Sequence, residues 1–388
     1  RQWLGEPAAS TATGADLLAR CPHLPLDTAL FDDAFGWAVL TAVPDLQAAL
    51  GGVLVHGDNY AALRTLEPQW KQAVKCIYID PPYNTGNDGF LYRDSCPHAS
   101  WASLMSGRMA AAHHLLSNDS AHFMSVDDNE ADRAASICDM LFAPENRIAR
   151  LIWEGANKNT ARQIGVSHEY VLAYAKNRNA LPGEWSIRKE GVDQVLAEVN
   201  RLLVLHDKDF VAASSELAGW FAAMKAKPVF GLRRFRHVDA RGVFKEDDPT
   251  APGGRKFELI NRQTGGVIPL RAGRGWAFDQ VAFDQLVEEN RIRFVTPTSV
   301  MVKRYLHETD HVTPPSVFYQ AARSASERLA DVLGTQVFDY PKDETVIARF
   351  IEMSASEPRS SILDYFAGSG TTGHAVLNLN RDDGGSRR

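Results

Sequence analysis

The sequence has few cysteines, no long apolar run and no overall excess of positive charge. Its four cysteines are far apart and form no C-x-x-C pair: Cys21, Cys76, Cys96 and Cys138. This spacing argues against a disulfide framework and a zinc site, and it suits a reducing cytosol. The longest apolar runs, such as residues 136–142, are far too short to cross a bilayer, so we expect no membrane partner.

Length and composition fit a multidomain globular protein. The 388 residues are enough for two or three domains, and 45% hydrophobic and 23% charged residues are ordinary values. The net charge of −6 hides an asymmetry, because residues 225–305 contain 16 Lys and Arg against 9 Asp and Glu. This local excess predicts a face that meets a polyanion; the alternative is a solvated basic loop region.

The most informative stretch is the apolar run 74–79, which is followed by Asp80-Pro81-Pro82-Tyr83. The run is long enough for one buried strand and too short for a helix. The prolines end it, since neither can donate to a ladder and each biases the residue before it away from the helical region. A carboxylate and an aromatic ring therefore lie on a stiff turn at the C-terminal end of a strand, where ligands bind in open α/β sheets.

At this motif the sequence resembles the amino-methyltransferases that use S-adenosylmethionine to modify DNA. The resemblance implies a catalytic set of Asp80, Pro81, Pro82 and Tyr83. Tyr83 would stack on an extruded base, while the Asp80 carboxylate and the Pro81 carbonyl would accept hydrogen bonds from the exocyclic amine. Asp at the first position favours adenine N6 over cytosine N4.

Hydrophobic periodicity and turn residues predict the other elements. The predicted strands are 53–55, 121–126, 148–153 and 169–174, and the predicted helices are 60–66, 101–116, 129–142, 192–205, 326–333 and 345–353. Residues 1–50 are interpreted as an N-terminal extension packed on the main domain, and residues 84–94 as a mobile loop over the site. Asp58, after the first strand, has two interpretations: it caps the next helix, or, as the resemblance implies, it lies near the adenine of the methyl donor.

Residues 362–375 predict a strand, a glycine-rich turn and a helix, with three interpretations. Gly368-x-Gly370-x-x-Gly373 satisfies the dinucleotide fingerprint of dehydrogenases, but that pattern is weak by itself. A phosphate loop fails because His374 stands where Lys is required. The third interpretation is the F-x-G-x-G donor loop of the same methyltransferases. With the stretch around Lys342, the resemblance then implies a donor-binding set: Asp58, Asp80, Lys342, Asp364, Phe366, Ala367, Gly368, Gly370, Thr371 and Thr372.

No metal site is expected from the sequence. The quartet Asp127-Asp128-Asn129-Glu130 could hold Mg²⁺ in a nuclease, but capping of the following helix is the favoured interpretation. The adjacent His113 and His114 point to different faces of their helix, which is poor geometry for metal ligands.

The basic segment 225–305 contains clustered arginines and no recognisable helix-turn-helix or zinc finger. Its predicted DNA contacts are Arg233, Arg234, Arg236, Arg271, Arg274, Lys303 and Arg304. Arginine suits both phosphate contact and readout of guanine, so double-stranded DNA is the expected partner. In the family this position holds the target-recognition insert.

The order of the motifs, with D-P-P-Y before the insert and the donor loop after it, marks the β group of these enzymes. Flanking stretches from about residue 50 onward resemble the modification subunit of type III restriction–modification systems. The implied fold is α/β: a circularly permuted, Rossmann-like, S-adenosylmethionine-dependent methyltransferase sheet with an inserted α+β target-recognition domain. The expected division is 1–50 extension, 51–180 catalytic half, 181–305 insert and 306–388 donor-binding half.

The resemblance also implies a prokaryotic cytoplasmic protein that forms a homodimer, binds a separate restriction subunit, or does both. It implies one more strand after the glycine-turn helix, with an acidic residue for the donor's ribose. That strand is not in the sequence, so we expect these 388 residues to be a fragment. The competing hypothesis is a non-catalytic DNA-recognition or assembly subunit, which the intact Asp80, Tyr83 and glycine turn oppose.

Overall fold

The computed structural model describes Ala19 and residues 27–86, 94–155, 163–225, 228–320 and 322–388. The predicted mobile loop over the site therefore lies largely outside the described residues. No helix in the described part of the chain is both long and apolar enough to span a membrane.

Between residues 27 and 70 the described α-helices are α1 (Asp33–Ala42), α2 (Leu46–Ala49) and α3 (Asn59–Trp70). None of the described residues between 27 and 50 is buried, so the predicted packing of this extension on the main domain is wrong for them. The predicted strand 53–55 is also wrong. These residues are irregular and Leu54 is 90% exposed, because no strand of the described chain pairs with them and an unpaired strand leaves its backbone groups unsatisfied.

The catalytic half follows in chain order. Its elements are β1 (Val74–Ile79), α4 (His98–Leu115), β2 (Leu116–Val126), α5 (Ala131–Phe142), β3 (Arg147–Glu154) and β4 (His168–Ala175). Each overlaps the strand or helix predicted from the apolar pattern.

The segment 181–312, which comprises the predicted insert 181–305 and the seven residues after it, contains short strands and, in its described part, three α-helices. Its elements are β5 (Ile187–Arg188), α6 (Val192–Leu205), α7 (Phe210–Ala223), β6 (His237–Asp239), β7 (Gly242–Asp247), β8 (Thr250–Ala251), β9 (Leu259–Ile260), β10 (Val267–Ile268), β11 (Gly275–Trp276), α8 (Gln280–Glu288), β12 (Ile292–Thr296), β13 (Ser299–Tyr305) and β14 (His311–Val312). Four of these strands form an antiparallel sheet in the order β12-β13-β7-β6.

The last segment returns to the main domain. Its elements are β15 (Val317–Tyr319), α9 (Ala322–Leu333), α10 (Glu344–Ser354), β16 (Ser361–Leu363) and α11 (Thr371–Asp383).

A six-stranded mixed sheet in the order β15-β3-β4-β2-β1-β16 organises the molecule. Strand β1 pairs in parallel with both β2 and β16, whereas β4 is antiparallel to β2 and β3. The C-terminal ends of β1, β2, β3 and β16 and the N-terminal end of β4 therefore meet at one edge. The α/β architecture expected from the sequence is confirmed.

Two apolar layers cover the sheet, and the side chains of β1 divide between them. Ile77 and Ile79 pack under α3, α4 and α5, while Cys76 and Tyr78 pack under α10 and α11. All four are at most 1% exposed. Burial on both faces explains why this strand is a continuous apolar run rather than an alternating one.

The layer under α5 also contains a buried histidine, His122 on β2. Both of its ring nitrogens are buried and have no hydrogen-bond partner among the described residues. Burial lowers the pKa of His122 to about 3, with a smaller contribution from His113. The folded state therefore holds this imidazole neutral, and the unfolded chain takes up its proton first as the pH falls below about 6.5.

We predict that His122→Leu reduces the acid sensitivity of folding. Because the folded-state pKa lies below the unfolded value, His122 costs stability as the pH falls, by up to about 2 kcal/mol between pH 6.5 and pH 5. Urea unfolding at the two pH values should show a smaller loss in His122→Leu than in the parent. The exposed His56→Leu serves as the control; equal losses in all three proteins would refute the buried neutral state.

Candidate active site

The two principal motifs lie side by side at the C-terminal edge of the sheet. Ile77 of β1 is the register partner of Leu363 of β16, and the strands are parallel. Asp80 and Phe366 each follow three residues later, so the D-P-P-Y turn and the glycine turn leave the same edge of the sheet. The structure thus brings together two motifs that are far apart in sequence.

Asp80 is held at this edge with one buried carboxylate oxygen, Oδ1, which lies 3.4 Å from the Lys342 ammonium. Its Oδ1 has no hydrogen-bond partner among the described residues, although the side chain as a whole is 30% exposed. Burial raises the pKa of Asp80 to about 6, against the opposing effect of the Lys342 ammonium. The Pro81 carbonyl accepts no hydrogen bond from the described residues, whereas the Pro82 carbonyl accepts one from the Trp101 indole, at 2.7 Å. Among the described residues, the Pro81 carbonyl is therefore a free acceptor, whereas the next carbonyl, that of Pro82, is held by Trp101.

The residue after the motif is held by a polar network. Asn84 adopts a left-handed conformation, with φ of 60°. Its backbone N–H donates to Asp94 Oδ1 at 2.8 Å, and its side-chain amide donates to Glu130 Oε1 at 2.6 Å. Glu130 is fully buried and also contacts His98 and Arg133.

The role of Glu130 corrects the capping interpretation of the acidic quartet. Glu130 occupies the N-cap position of α5, but its side chain makes no capping hydrogen bond and points instead to Asn84. Only Asp127 accepts a nearby backbone N–H, from Asn129 at 3.0 Å. Within the described residues, no group of three His, Cys, Asp or Glu side chains is arranged to hold a metal ion.

The Lys342 side chain contacts the D-P-P-Y turn from a segment that is distant in sequence. Its ammonium donates to Glu169 Oε2 at 2.6 Å and to the Tyr83 hydroxyl at 2.7 Å, and it lies 3.4 Å from Asp80 Oδ1. It is also 4.8 Å from the centroid of the Tyr83 ring, within cation–π range. Burial alone would lower the pKa of Lys342, but Asp80 and Glu169 outweigh it and raise the pKa. The sequence assigned Lys342 to the methionine end of the donor; that role stays a prediction, and the contacts described here are with the catalytic turn.

The glycine turn is held by hydrogen bonds to Asp364, and the space beside Gly370 is unoccupied. Asp364 accepts hydrogen bonds from the Phe366 backbone N–H at 2.8 Å and from the Thr372 hydroxyl at 2.6 Å. Gly368 and Gly370 have φ of 53° and 78°, a region that favours glycine. A Cβ added at Gly370 would meet nothing within 4 Å, so this side of the turn is free to receive a ligand.

The remaining residues of the predicted donor set line the same turn or its neighbour. The Ala367 carbonyl accepts the Gly370 N–H at 2.7 Å, and Thr371 begins α11. Burial raises the pKa of Asp364 to about 6, and the nearby Asp80 adds to the shift. A carboxylate pair of this kind favours a cationic ligand between them.

Asp58 caps α3, as one interpretation of the sequence had it. Its carboxylate accepts from the Tyr60 and Ala61 N–H groups and pairs with Arg108 at 2.9 Å. Asn59 links this helix start to the glycine turn, since its amide donates to the Tyr365 carbonyl at 2.8 Å. The Asp58 side chain is 60% exposed, which leaves room for the second role.

The predicted DNA-contacting cations separate into paired and unpaired groups. Several have acidic or polar partners: Arg234 and Arg304 with Asp247, Arg271 with Asp248, Arg274 with Thr250, and Lys303 with Asp239. Arg233 and Arg236 are exposed and pair with no carboxylate in the described part of the chain. Both line a cleft of 470 Å³ beside α7.

Lys303 does not fit its predicted role. It is only 8% exposed, and its ammonium donates to Asp239 at 2.8 Å. A lysine that is buried and neutralised in this way stabilises the insert sheet and is poorly placed to reach a phosphate.

Glu169 is the principal site residue that the sequence analysis missed. The stretch His168-Glu169-Tyr170 opens a predicted strand and resembles the family, but neither feature gave Glu169 a role in the site. A usable signal exists, because an acidic residue that opens an antiparallel strand lies at the same edge as the ends of its parallel neighbours. Which cation it meets was not readable from the sequence.

The comparisons with known proteins agree with this geometry. The family model described as DNA methylase matches residues 74–383. The chain belongs to the DNA methylase family. This match includes both the D-P-P-Y turn and the glycine turn, and it supports the Rossmann-like methyltransferase fold expected from the sequence.

Individual relatives in the DNA methylase family have low sequence identity to this chain, but the alignments cover most of it. The chain is 28% identical to the type III restriction–modification enzyme EcoP15I Mod subunit of Escherichia coli, over 84% of this chain and 56% of that protein. It is 27% identical to the StyLTI Mod subunit of Salmonella typhimurium, over 86% and 51%. The resemblance to type III modification subunits is thus confirmed, and the chain spans about half the length of these relatives.

One further relative and one solved structure also align with most of the chain. The chain is 27% identical to the type II methyltransferase M.KpnI of Klebsiella pneumoniae, over 86% of this chain and 78% of that protein. Among solved structures, the cytosine-N4-specific PvuII DNA methyltransferase aligns with a TM-score of 0.41 and 10% identity, over 86% and 78%.

We predict opposite effects for alanine at two glycines of this region. Gly370 has a left-handed φ and open space around it, so Gly370→Ala should cost about 1 kcal/mol of stability through backbone strain alone. Gly373 lies inside α11, also with open space, so Gly373→Ala should stabilise by about 0.5–1 kcal/mol. Urea denaturation of both variants provides the measurement, and destabilisation by Gly373→Ala would contradict this account of the turn.

Proposed function

We propose that this chain transfers a methyl group from S-adenosylmethionine to adenine N6 in duplex DNA, as the modification part of a restriction–modification system. The observation that carries the proposal is the buried Asp80 Oδ1, which is ion-paired with Lys342 but has no hydrogen-bond partner among the described residues, beside an open glycine turn at the same sheet edge. Membership in the DNA methylase family supports it.

The charge of the edge suits the donor. Three carboxylates lie at this edge: Asp80 and Glu169 are ion-paired with the Lys342 ammonium, and Asp364 is near Asp80. The excess negative charge in a buried setting favours a cation, and it disfavours the phosphates of a dinucleotide or nucleoside triphosphate. Gly368, Gly370 and the Thr371 end of α11 would hold the amino-acid portion, with Asp58 near the adenine. When bound, the donor supplies an electrophilic methyl group on a positively charged sulfur.

The chain's own residues orient the acceptor amine. Asp80 Oδ1 and the Pro81 carbonyl accept hydrogen bonds from the amine, which direct the nitrogen lone pair away from the ring plane. Orientation is the main requirement, because an exocyclic amine is a weak nucleophile. The proton that the amine loses can pass to Asp80, whose pKa of about 6 allows it to accept and release a proton near neutral pH. A base inside a duplex cannot reach this turn, so it must be extruded, and Tyr83 replaces its lost stacking.

DNA is proposed to lie along the basic cleft of the insert. Arg233 and Arg236 project from either side of the buried Phe235, which anchors their loop. Because they lack acidic partners in the described structure, contact with a phosphate costs them no ion pair. A separate restriction subunit, which the names of the Mod relatives suggest, and a homodimer, which the resemblance implies, are part of this proposal.

We predict that Asp80→Ala lowers methyl transfer by at least about 10²–10³-fold, since it removes a preorganised acceptor. Plasmid DNA is incubated with the protein and labelled donor, and the modified bases are mapped by sequencing. The map distinguishes adenine N6 from cytosine N4. Thermal unfolding provides the folding control, and a correctly folded Asp80→Ala protein with parental activity would refute the proposal.

We predict that exchanging both Arg233 and Arg236 for Gln weakens duplex binding. If each arginine neutralises one phosphate, the slope of log K against log salt should fall by about 2 in magnitude. Fluorescence anisotropy with a labelled duplex at several salt concentrations measures this slope. Arg201→Gln is the matched control, since Arg201 is an exposed arginine of α6 that pairs with Glu198; an unchanged slope in the double variant would place the DNA elsewhere.

A further inference from the structure

A single carboxylate oxygen links the two sides of the catalytic turn. Glu169 Oε2 accepts the Tyr83 hydroxyl proton at 2.7 Å and the Lys342 ammonium at 2.6 Å. Lys342 in turn donates to the Tyr83 hydroxyl at 2.7 Å and lies 3.4 Å from Asp80. The Tyr83 hydroxyl oxygen, Glu169 Oε2 and the Lys342 ammonium nitrogen thus form the three corners of a hydrogen-bonded triangle. The Lys342 corner is also close to Asp80.

The fold holds this triangle rigidly. Glu169 is the second residue of β4, and its register partner on β3 is Trp153. The Trp153 ring lies 5.6 Å from the Lys342 ammonium, so the cation rests between two aromatic rings and two carboxylates. Lys342 directly precedes Asp343, the buried cap of α10, which pairs with Arg328 at 2.9 Å. Both the strand and the helix that carry the triangle are anchored in the core.

We propose that Glu169 is a positioning residue for methyl transfer: it fixes the Tyr83 ring and the Lys342 ammonium, and so presents the stacking surface and the Asp80 carboxylate as one preformed unit. The inference rests on the proposed function. Glu169 touches neither the base nor the donor in this role; it acts through Tyr83 and Lys342.

The charges around Asp80 make the role measurable. The titratable groups that face Asp80 come from four elements and from its own turn: Lys342, Glu169, Tyr78, Asp364 and Tyr83. Lys342 is the only cation among them and lowers the pKa of Asp80, whereas Glu169 raises it. Removing the Glu169 charge should therefore lower the pKa of Asp80, and removing the Lys342 charge should raise it.

The test compares Glu169→Gln and Lys342→Met with the parent in single-turnover methylation of plasmid DNA across pH. Glu169→Gln should be about 10-fold slower, because a charge-assisted contact is lost, and its acid limb should move to lower pH. Lys342→Met should move the acid limb to higher pH. Glu169→Asp retains the charge but shortens the reach, so it should be slow with a nearly parental acid limb.

Glu154→Gln is the matched control. Glu154 ends β3 at the same edge, is exposed, and contacts none of Lys342, Tyr83 or Asp80 among the described residues. Its substitution should leave the rate and the pH profile unchanged.

A second measurement needs neither donor nor DNA. Carboxyl ¹³C NMR of the aspartate-labelled protein, with the Asp80 signal assigned by its loss in Asp80→Ala, should show the same opposite shifts in the titration of Asp80. A purely structural role for Glu169 would lower stability without moving this titration. Parental rates and an unmoved Asp80 titration in Glu169→Gln would overturn the inference, whereas an active Asp80→Ala protein would overturn the proposed function itself.

Discussion

The parallel pairing of β1 with β16 is the constraint on which the site depends. The turn after β1 presents a carboxylate and an aromatic ring, and the turn after β16 presents a glycine-rich backbone. The register of Ile77 with Leu363 places these turns side by side, although the whole insert separates the strands in sequence. Burial of β1 on both faces holds that register, since a slip by one residue would force Ile77 and Tyr78 into the apolar layers that pack against each other's positions.

This arrangement concentrates like charges in a place where they are costly. Asp80 and Asp364 both have pKa values raised to about 6, mainly by burial, and the nearby Asp80 adds to the shift of Asp364. In the ionised state near neutral pH they therefore destabilise the fold, because their folded-state pKa values exceed those of the unfolded chain. Lys342 offsets part of this cost. Two buried carboxylates at one edge suit a positively charged ligand, and the fold is less stable for holding them there without one.

The sequence predicted the elements better than the contacts between charged groups. Buried runs such as 74–79 and the D-P-P-Y and glycine turns were readable because local residue choice determines them. The segment 53–55 is predicted as a strand because its apolar residues can be read from the local sequence. Whether a partner strand lies beside it cannot be read locally, and the described chain provides none. The partners of Glu169, Glu130 and Lys303 depend on which distant strands become neighbours, so neither the Glu169–Lys342 pair nor the burial of Lys303 was visible in the sequence.

The connection between the insert and the sheet completes the argument for a single working unit. Strand β5, near the start of the predicted insert, pairs with β14, just after its end, through Ile187 and Val312, and the Lys189 N–H donates to the Asp310 carbonyl at 2.7 Å. Chain segments on either side of this two-stranded neck lead directly into β4 and β15 of the central sheet. Because Glu169 lies on β4, the strand that contacts the D-P-P-Y turn through Tyr83 and Lys342 is also the strand that leads into the insert. A neck of paired backbone holds the segments that it joins in a more defined position than a free linker does.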